Sequence, residues 1–120
     1  MLEKWLGYKF STGVEAGEDY KKFQRAARAS LKKICEAENI TIYSFHGNHY
    51  TFSAVLKNME TEKYVFVSIS DVRHWQDEWY YKVLIRTMEH EKDWRGGANH
   101  YCKWNEIGKT AKWLSRKQSK

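Results

Sequence analysis

Proline is absent from the 120 residues, and cysteine occurs only twice, at Cys35 and Cys102. Without proline the usual marker of a rigid linker is missing, so boundaries have to be read from hydrophobic periodicity. The two cysteines lack CxxC or CxxH spacing, which excludes the common zinc and dithiol patterns and leaves them as small buried hydrophobes; a disulfide is disfavoured in a cytosolic chain. No apolar run approaches the roughly 18 residues that a spanning helix needs, and the opening "MLEKWLGYKF" has no apolar core of the kind a signal peptide carries. A soluble, cytoplasmic protein with no membrane partner is therefore expected. Repeats and low-complexity tracts are also missing, and residues 1–120 are too few to enclose a second core, so they read as a single domain.

What the chain has in abundance is rings and positive charge. Aromatic residues make up 16%, with six tryptophans, so large rings must fill much of the core and some should remain exposed. The formal net charge is +6, which raises affinity for polyanions. Its distribution is uneven: residues 103–120 hold Lys103, Lys109, Lys112, Arg116, Lys117 and Lys120 against the single acid Glu106.

Periodicity orders the chain. After "STGVEAG", Tyr20, Phe23, Ala27, Leu31 and Ile34 recur at helical spacing, with Glu18 and Asp19 near the positive end of the helix dipole and Asn39 as the stop. Lys21, Arg25, Arg28 and Lys32 form a second stripe about a third of a turn away, predicted to face solvent. "ITIYSFH" and "HYTFSAVLK" alternate around Gly47-Asn48, which predicts a hairpin turning at that dipeptide. "KYVFVSIS" reads as a central strand with Val65, Val67 and Ile69 on one face. "WYYKVLIRTM" fits helix or strand, and its β-branched and aromatic residues favour a strand, with Val83 and Ile85 opposite Lys82, Leu84 and Arg86. "WNEIGKTAKWLSRK" spaces Trp104, Ile107, Ala111 and Leu114 as a helix seam, weakened by about 1 kcal/mol at Gly108. The expected fold is α+β: an antiparallel sheet of about four strands with two helices packed on one face.

Polar residues crowd into 68–101. The stretch "KDWRGGANHY" is the densest part, and its Gly96-Gly97 pair permits backbone that turns N–H groups toward an anion, with Arg95 or Arg86 able to add paired bonds to phosphate oxygens. The candidate ligand or partner loop is Arg73, His74, Arg86, Asp93, Trp94, Arg95, Gly96, Gly97, Asn99, His100 and Tyr101. The plain alternative is a hairpin with the glycines at its tip and Arg86 paired to Asp93 or Glu89. His74, His90 and His100 match no metal motif, so neither a metal nor any other cofactor is expected. Were the protein an enzyme, His90 and His100 would exchange protons and Arg86 would stabilise developing charge in metal-free phosphodiester chemistry. Ser68 and Ser70 lack a nucleophile elbow and read as sheet residues.

Basic helices interleaved with rings are a nucleic-acid signature, because cations displace counterions from phosphates while flat side chains stack on unpaired bases. Here the carriers are Lys21, Arg25, Arg28 and Lys32, with Lys109, Lys112, Arg116 and Lys117; a solvated lysine face is the bland alternative. Trp75, Trp79 and Trp94 read as core or loop anchors, and an exposed cluster of them would equally suit a protein partner.

The segments "VSISDVRHW" and "VLIRTMEHEKDWRGGANHY", about a third of the chain, resemble small uncharacterised proteins of phages, plasmids and other mobile elements of Gram-positive bacteria. The resemblance brings no fold or site residues with it. It implies a context of interference with host defence, including anti-CRISPR inhibitors that bind a nuclease or its nucleic acid in the host cytoplasm. Many inhibitors of that kind are acidic duplex mimics, and this basic chain departs from them. The leading expectation is a small, basic, non-enzymatic protein that contacts nucleic acid or a ribonucleoprotein such as a Cas effector. A nucleotide-directed enzyme and a purely protein-directed inhibitor stand as alternatives.

Overall fold

The computed structural model describes residues 16–48, 51–69, 83–90, 92, 93 and 98–116. Helix α1 (Ala16–Glu36) leads into β1 (Ile40–Asn48), β2 (Thr51–Asn58), β3 (Tyr64–Ile69), β4 (Val83–Met88) and β5 (Asn99–Cys102), and a short 3-10 turn (Trp104–Glu106) opens α2 (Ile107–Leu114). The strands form one sheet in the order β1-β2-β3-β4-β5, every neighbouring pair antiparallel. Both helices pack on one face, so the α+β expectation holds, with five strands where about four were expected. The added strand is β5, read from sequence as loop.

Phe23, Ala27, Leu31 and Cys35 recur every four residues along α1 and are each fully buried against the sheet. The helix stops where Asn39 adopts a left-handed φ of 59°, a conformation asparagine tolerates better than most residues. On β2 and β3, Phe52, Ala54, Leu56, Val65, Val67 and Ile69 face the helices, and Val83 and Ile85 continue this face onto β4. Trp104 closes one end of the core and donates its indole N–H to Ser30 Oγ of α1 at 2.9 Å. A row of rings runs through this region: Phe45 stacks on Phe52 at 4.8 Å, and Phe52 meets Trp104 edge-on at 5.8 Å.

Two glycines act differently from the sequence reading. The β1–β2 hairpin exists, but Asn48 pairs with Thr51 and Gly47 with Phe52, so Gly47-Asn48 lies within the strand and not at the turn. Gly47 lets the end of the Gln24 side chain of α1 lie against the strand; a Cβ there would push that amide aside. Gly108 is buried where α2 crosses α1, and a Cβ there would strike the Ile34 carbonyl oxygen. Its cost in helix propensity is the condition for close helix–helix contact.

The end of α2 is tied to the β2–β3 turn by a buried polar network. Asn58, 4% exposed, accepts the N–H groups of Glu60 and Thr61 at 2.8 and 3.2 Å and donates to Ser115 Oγ at 3.0 Å. Ser115 Oγ donates in turn to the Ala111 carbonyl at 2.6 Å, while Thr61 Oγ1 donates to the Ser115 carbonyl at 2.7 Å. Each buried polar atom of this set thus finds a partner, which is the condition for burying it.

Candidate nucleic-acid interface

The exposed stripe on α1 meets an aromatic ring because of an irregularity in β1. Simple alternation from Ile40 and Ile42 would turn Phe45 away from the helices. A bulge between Ile42 and Ser44 adds one residue to β1, so Phe45 pairs with Ala54 and Gly47 with Phe52, both on the helix-bearing face. Phe45 therefore comes up beside α1. There Lys21, Gln24, Arg25 and Arg28 join Phe45 and Gly47 around a groove of about 320 Å³ at the β1 edge of the sheet.

The chemistry of this groove is one-signed. Among the described residues none that lines it is acidic, and Arg25 and Arg28 form no ion pair there. Arg28 holds its guanidinium carbon 5.7 Å from the centre of the Phe45 ring, and the same ring stacks on Phe52 at 4.8 Å. Lys32, one turn on, lies 3.9 Å from Glu36, an exposed pair of small energetic weight. Gln24, Phe45 and Gly47 were not singled out by the sequence reading. A bulge leaves no signature in the residue pattern, so nothing in "ITIYSFH" announces that its phenylalanine changes face.

The second basic set occupies a different part of the molecule. Lys109, Lys112, Trp113 and Arg116 share the outer side of α2, with Trp113 55% exposed. Arg116 is partly committed: its guanidinium lies 4.3 Å from the Trp113 ring centre and donates to the Trp113 carbonyl at 2.5 Å. His100 of β5 approaches the same ring at 6.3 Å. On α1, Ser30 and Ile34 face α2, and they lie about half a turn around the helix from Arg25 and Arg28. The α1 set thus borders β1 and the α2 set borders β5, opposite edges of the sheet separated by roughly 19 Å at about 4.8 Å per strand.

The conditional catalytic residues are not brought together. His100 pairs with Ile85 and shares its helix-side face, whereas Arg86, next along β4, points to the opposite face. There Arg86 is 8% exposed, with its guanidinium 4.4 Å from the Phe66 ring centre. His90 is exposed in the turn after β4, where its Nδ1 accepts the Lys92 N–H at 3.2 Å. Asp93 stabilises the same turn by accepting the Glu89 N–H at 3.0 Å. Asn99 and Tyr101 are exposed on β5, with Asn99 opposite Arg86 in the register. Arg73, His74, Trp94, Arg95, Gly96, Gly97 and Lys117 lie outside the described residues, as do Ser70, Trp75 and Trp79.

Neither cysteine is suited to nucleophilic chemistry. Burial pushes the Cys35 thiol up to about 12, with the neighbouring Glu36 charge adding to it. Burial likewise raises Cys102 to about 11, opposed by a hydrogen bond from Thr110 and supported by Glu106. Among the described residues no group of three or more histidine, cysteine or acidic side chains is placed to hold a metal ion, and no helix is long and apolar enough to cross a membrane.

Compared with family models, with curated proteins and with solved structures, the chain matches none.

Proposed function

We propose that this protein is a non-enzymatic binding protein that holds a nucleic acid, bare or within a nucleoprotein complex, through the α1 stripe and the groove beside it. The observation that carries this reading is the placement of Arg25 and Arg28 beside the edge-strand ring of Phe45, in a groove that no carboxylate lines among the described residues. Among the described residues no ion pair has to be broken at these guanidinium groups before a phosphate binds, and the counterions released favour binding. The resemblance to mobile-element proteins gives the reading a setting: a guide-RNA-loaded nuclease in the cytoplasm of a bacterial host presents such a nucleic acid, and an anti-CRISPR inhibitor would engage it there.

The test is a salt titration of binding to a labelled oligonucleotide. Affinity should fall steeply and linearly on logarithmic axes as salt rises, and replacing Lys21, Arg25, Arg28 and Lys32 by glutamate should abolish binding while the circular dichroism spectrum is retained. Affinity that ignores salt would end the proposal. A protein-directed inhibitor is the second reading, favoured by the exposed ring of Trp113. It calls instead for a salt-insensitive complex with a protein, lost in Trp113→Ala.

A further inference from the structure

We infer that the groove accepts an unpaired base, so that the nucleic acid recognised here is single-stranded and one nucleotide of it stacks on Phe45. This deepens the polyanion reading and rests on it. Cations alone would attract any phosphate chain; the ring is what distinguishes the site. Phe45 is stacked on Phe52, which is itself only 2% exposed, so the ring is held in place by the core while it also lines the groove. A ring held in this way offers a stacking surface without losing rotamer freedom on binding.

The dimensions agree with one nucleotide. Small-molecule sites span about 300–1,000 Å³, and this groove, at about 320 Å³, is at the lower end. Its other walls are cationic: Arg25 and Lys21 stand along the helix where the sugar-phosphate chain would run past a base seated on Phe45. Arg28 reaches over the ring at 5.7 Å, too far for direct stacking, so a base entering there would meet a guanidinium plane as well as the phenyl face. Over Gly47 the end of the Gln24 side chain occupies the space that a Cβ would take, so an amide stands on the floor of the groove. A duplex has no free base face to offer this ring, because its bases are stacked on one another and present only their edges. Single strands do.

The experiment compares four probes on the intact protein at moderate salt: a twelve-nucleotide single strand, the same strand carrying abasic residues, its duplex, and polyphosphate. The intact strand should bind about tenfold or more tightly than the abasic strand of similar charge and more tightly than the duplex. Phe45→Leu, which keeps an apolar side chain against Phe52, should bring the intact and abasic strands to the same affinity. If intact and abasic strands bind wild type equally, or the duplex binds best, the stacking inference is overturned while salt-dependent binding leaves the polyanion reading standing. A preference for the intact strand that survives in folded Phe45→Leu also overturns it, by placing the base elsewhere. Should Phe45→Leu fail to fold, the abasic comparison on wild type decides. Failure of all four probes removes both readings together.

Discussion

The two edges of the sheet carry similar residues in different employment. At the β1 edge, Arg25 and Arg28 stand beside Phe45 around an open groove. At the β5 side, Arg116 lies on Trp113 and bonds the backbone of its own helix, while Lys63 of the β2–β3 turn donates to the Arg116 carbonyl at 3.2 Å. In both places a cation meets a ring. At one the surroundings leave a concavity between them, and at the other the cation closes down on the ring and on the helix end. Net charge is blind to this difference; what separates the two places is the cation itself, since Arg116 is bonded to its own helix end whereas among the described residues Arg25 and Arg28 form no ion pair.

The sharpest way to break the comparison is to open the clasp. Asn58→Ala removes one buried and two partly buried hydrogen bonds and leaves two backbone N–H groups and the Ser115 hydroxyl short of a partner. Urea unfolding should show a loss of about 2–4 kcal/mol. Oligonucleotide affinity of the folded fraction should be unchanged, because the network lies at the far end of α2 from the groove. A loss below about 0.5 kcal/mol would mean that water replaces Asn58 freely, and the β5 side would then be no more a clasp than the groove is.

Gly108 tests the seam between the two halves, and here two effects oppose. Helix propensity alone makes Gly108→Ala stabilising by about 1 kcal/mol, whereas overpacking against the Ile34 carbonyl costs about 1–3 kcal/mol. The colliding atom is backbone and cannot swing aside, so net destabilisation is expected, seen as a lower Tm. An increase in Tm would show that the helices part easily, and that the placement of α1 over the β1 edge does not depend on α2.

How far this division was visible in the residue pattern depends on the element. Alternation in "KYVFVSIS" and the β-branched run in "VLIRTM" announce β3 and β4 because one face of each is buried, and burial is what patterning records. β5 is silent: Asn99 and Tyr101 are exposed, His100 is half-buried, and only Cys102 is fully packed, so a four-residue edge strand has too little buried surface to leave a period. The α1 stripe was legible, since cations at helical spacing are a one-dimensional feature. Its partner ring was not, because a bulge and a glycine–helix contact are agreed between segments distant in the chain. For the same reason His90, His100 and Arg86, close in sequence, are divided by the sheet: alternation sends neighbouring positions to opposite faces.

A direct comparison of the two cation sets comes next in size. Neutralising Arg25 and Arg28 to glutamine should lower single-strand affinity about tenfold and reduce the slope of log affinity against log salt by about 1.4, at about 0.7 per phosphate contact. The matched double change at Lys109 and Lys112 removes the same charge from the outer side of α2 and should reduce that slope by less than half as much. Equal losses would show that the protein's overall field, and not the groove, gathers the strand.

The smallest effect comes from the thiols, one in each half: Cys35 beneath α1 and Cys102 on β5. Both are held well above the ordinary value near 9 chiefly by burial, Cys35 at about 12 and Cys102 at about 11. Above pH 9 the unfolded chain releases these two protons while the folded chain keeps them. Ionisation then favours unfolding, and stability that is complete below pH 9 declines as pH rises through 11 for Cys102 and on towards 12 for Cys35. Lysine and tyrosine side chains titrate in the same range, so the readout is a difference: the urea midpoint of wild type should fall more between pH 8.5 and 10.5 than that of the Cys35→Ala, Cys102→Ala double variant, normalised to each protein's value at the lower pH. At pH 10.5 both thiols of the folded chain still hold most of their protons, so the two single variants should each flatten the decline by a similar amount. Identical curves for wild type and double variant would mean that both thiols ionise in place, and that the packing beneath α1 and under β5 admits water to an extent that the fully buried Cys35 and the 6% exposure of Cys102 do not suggest.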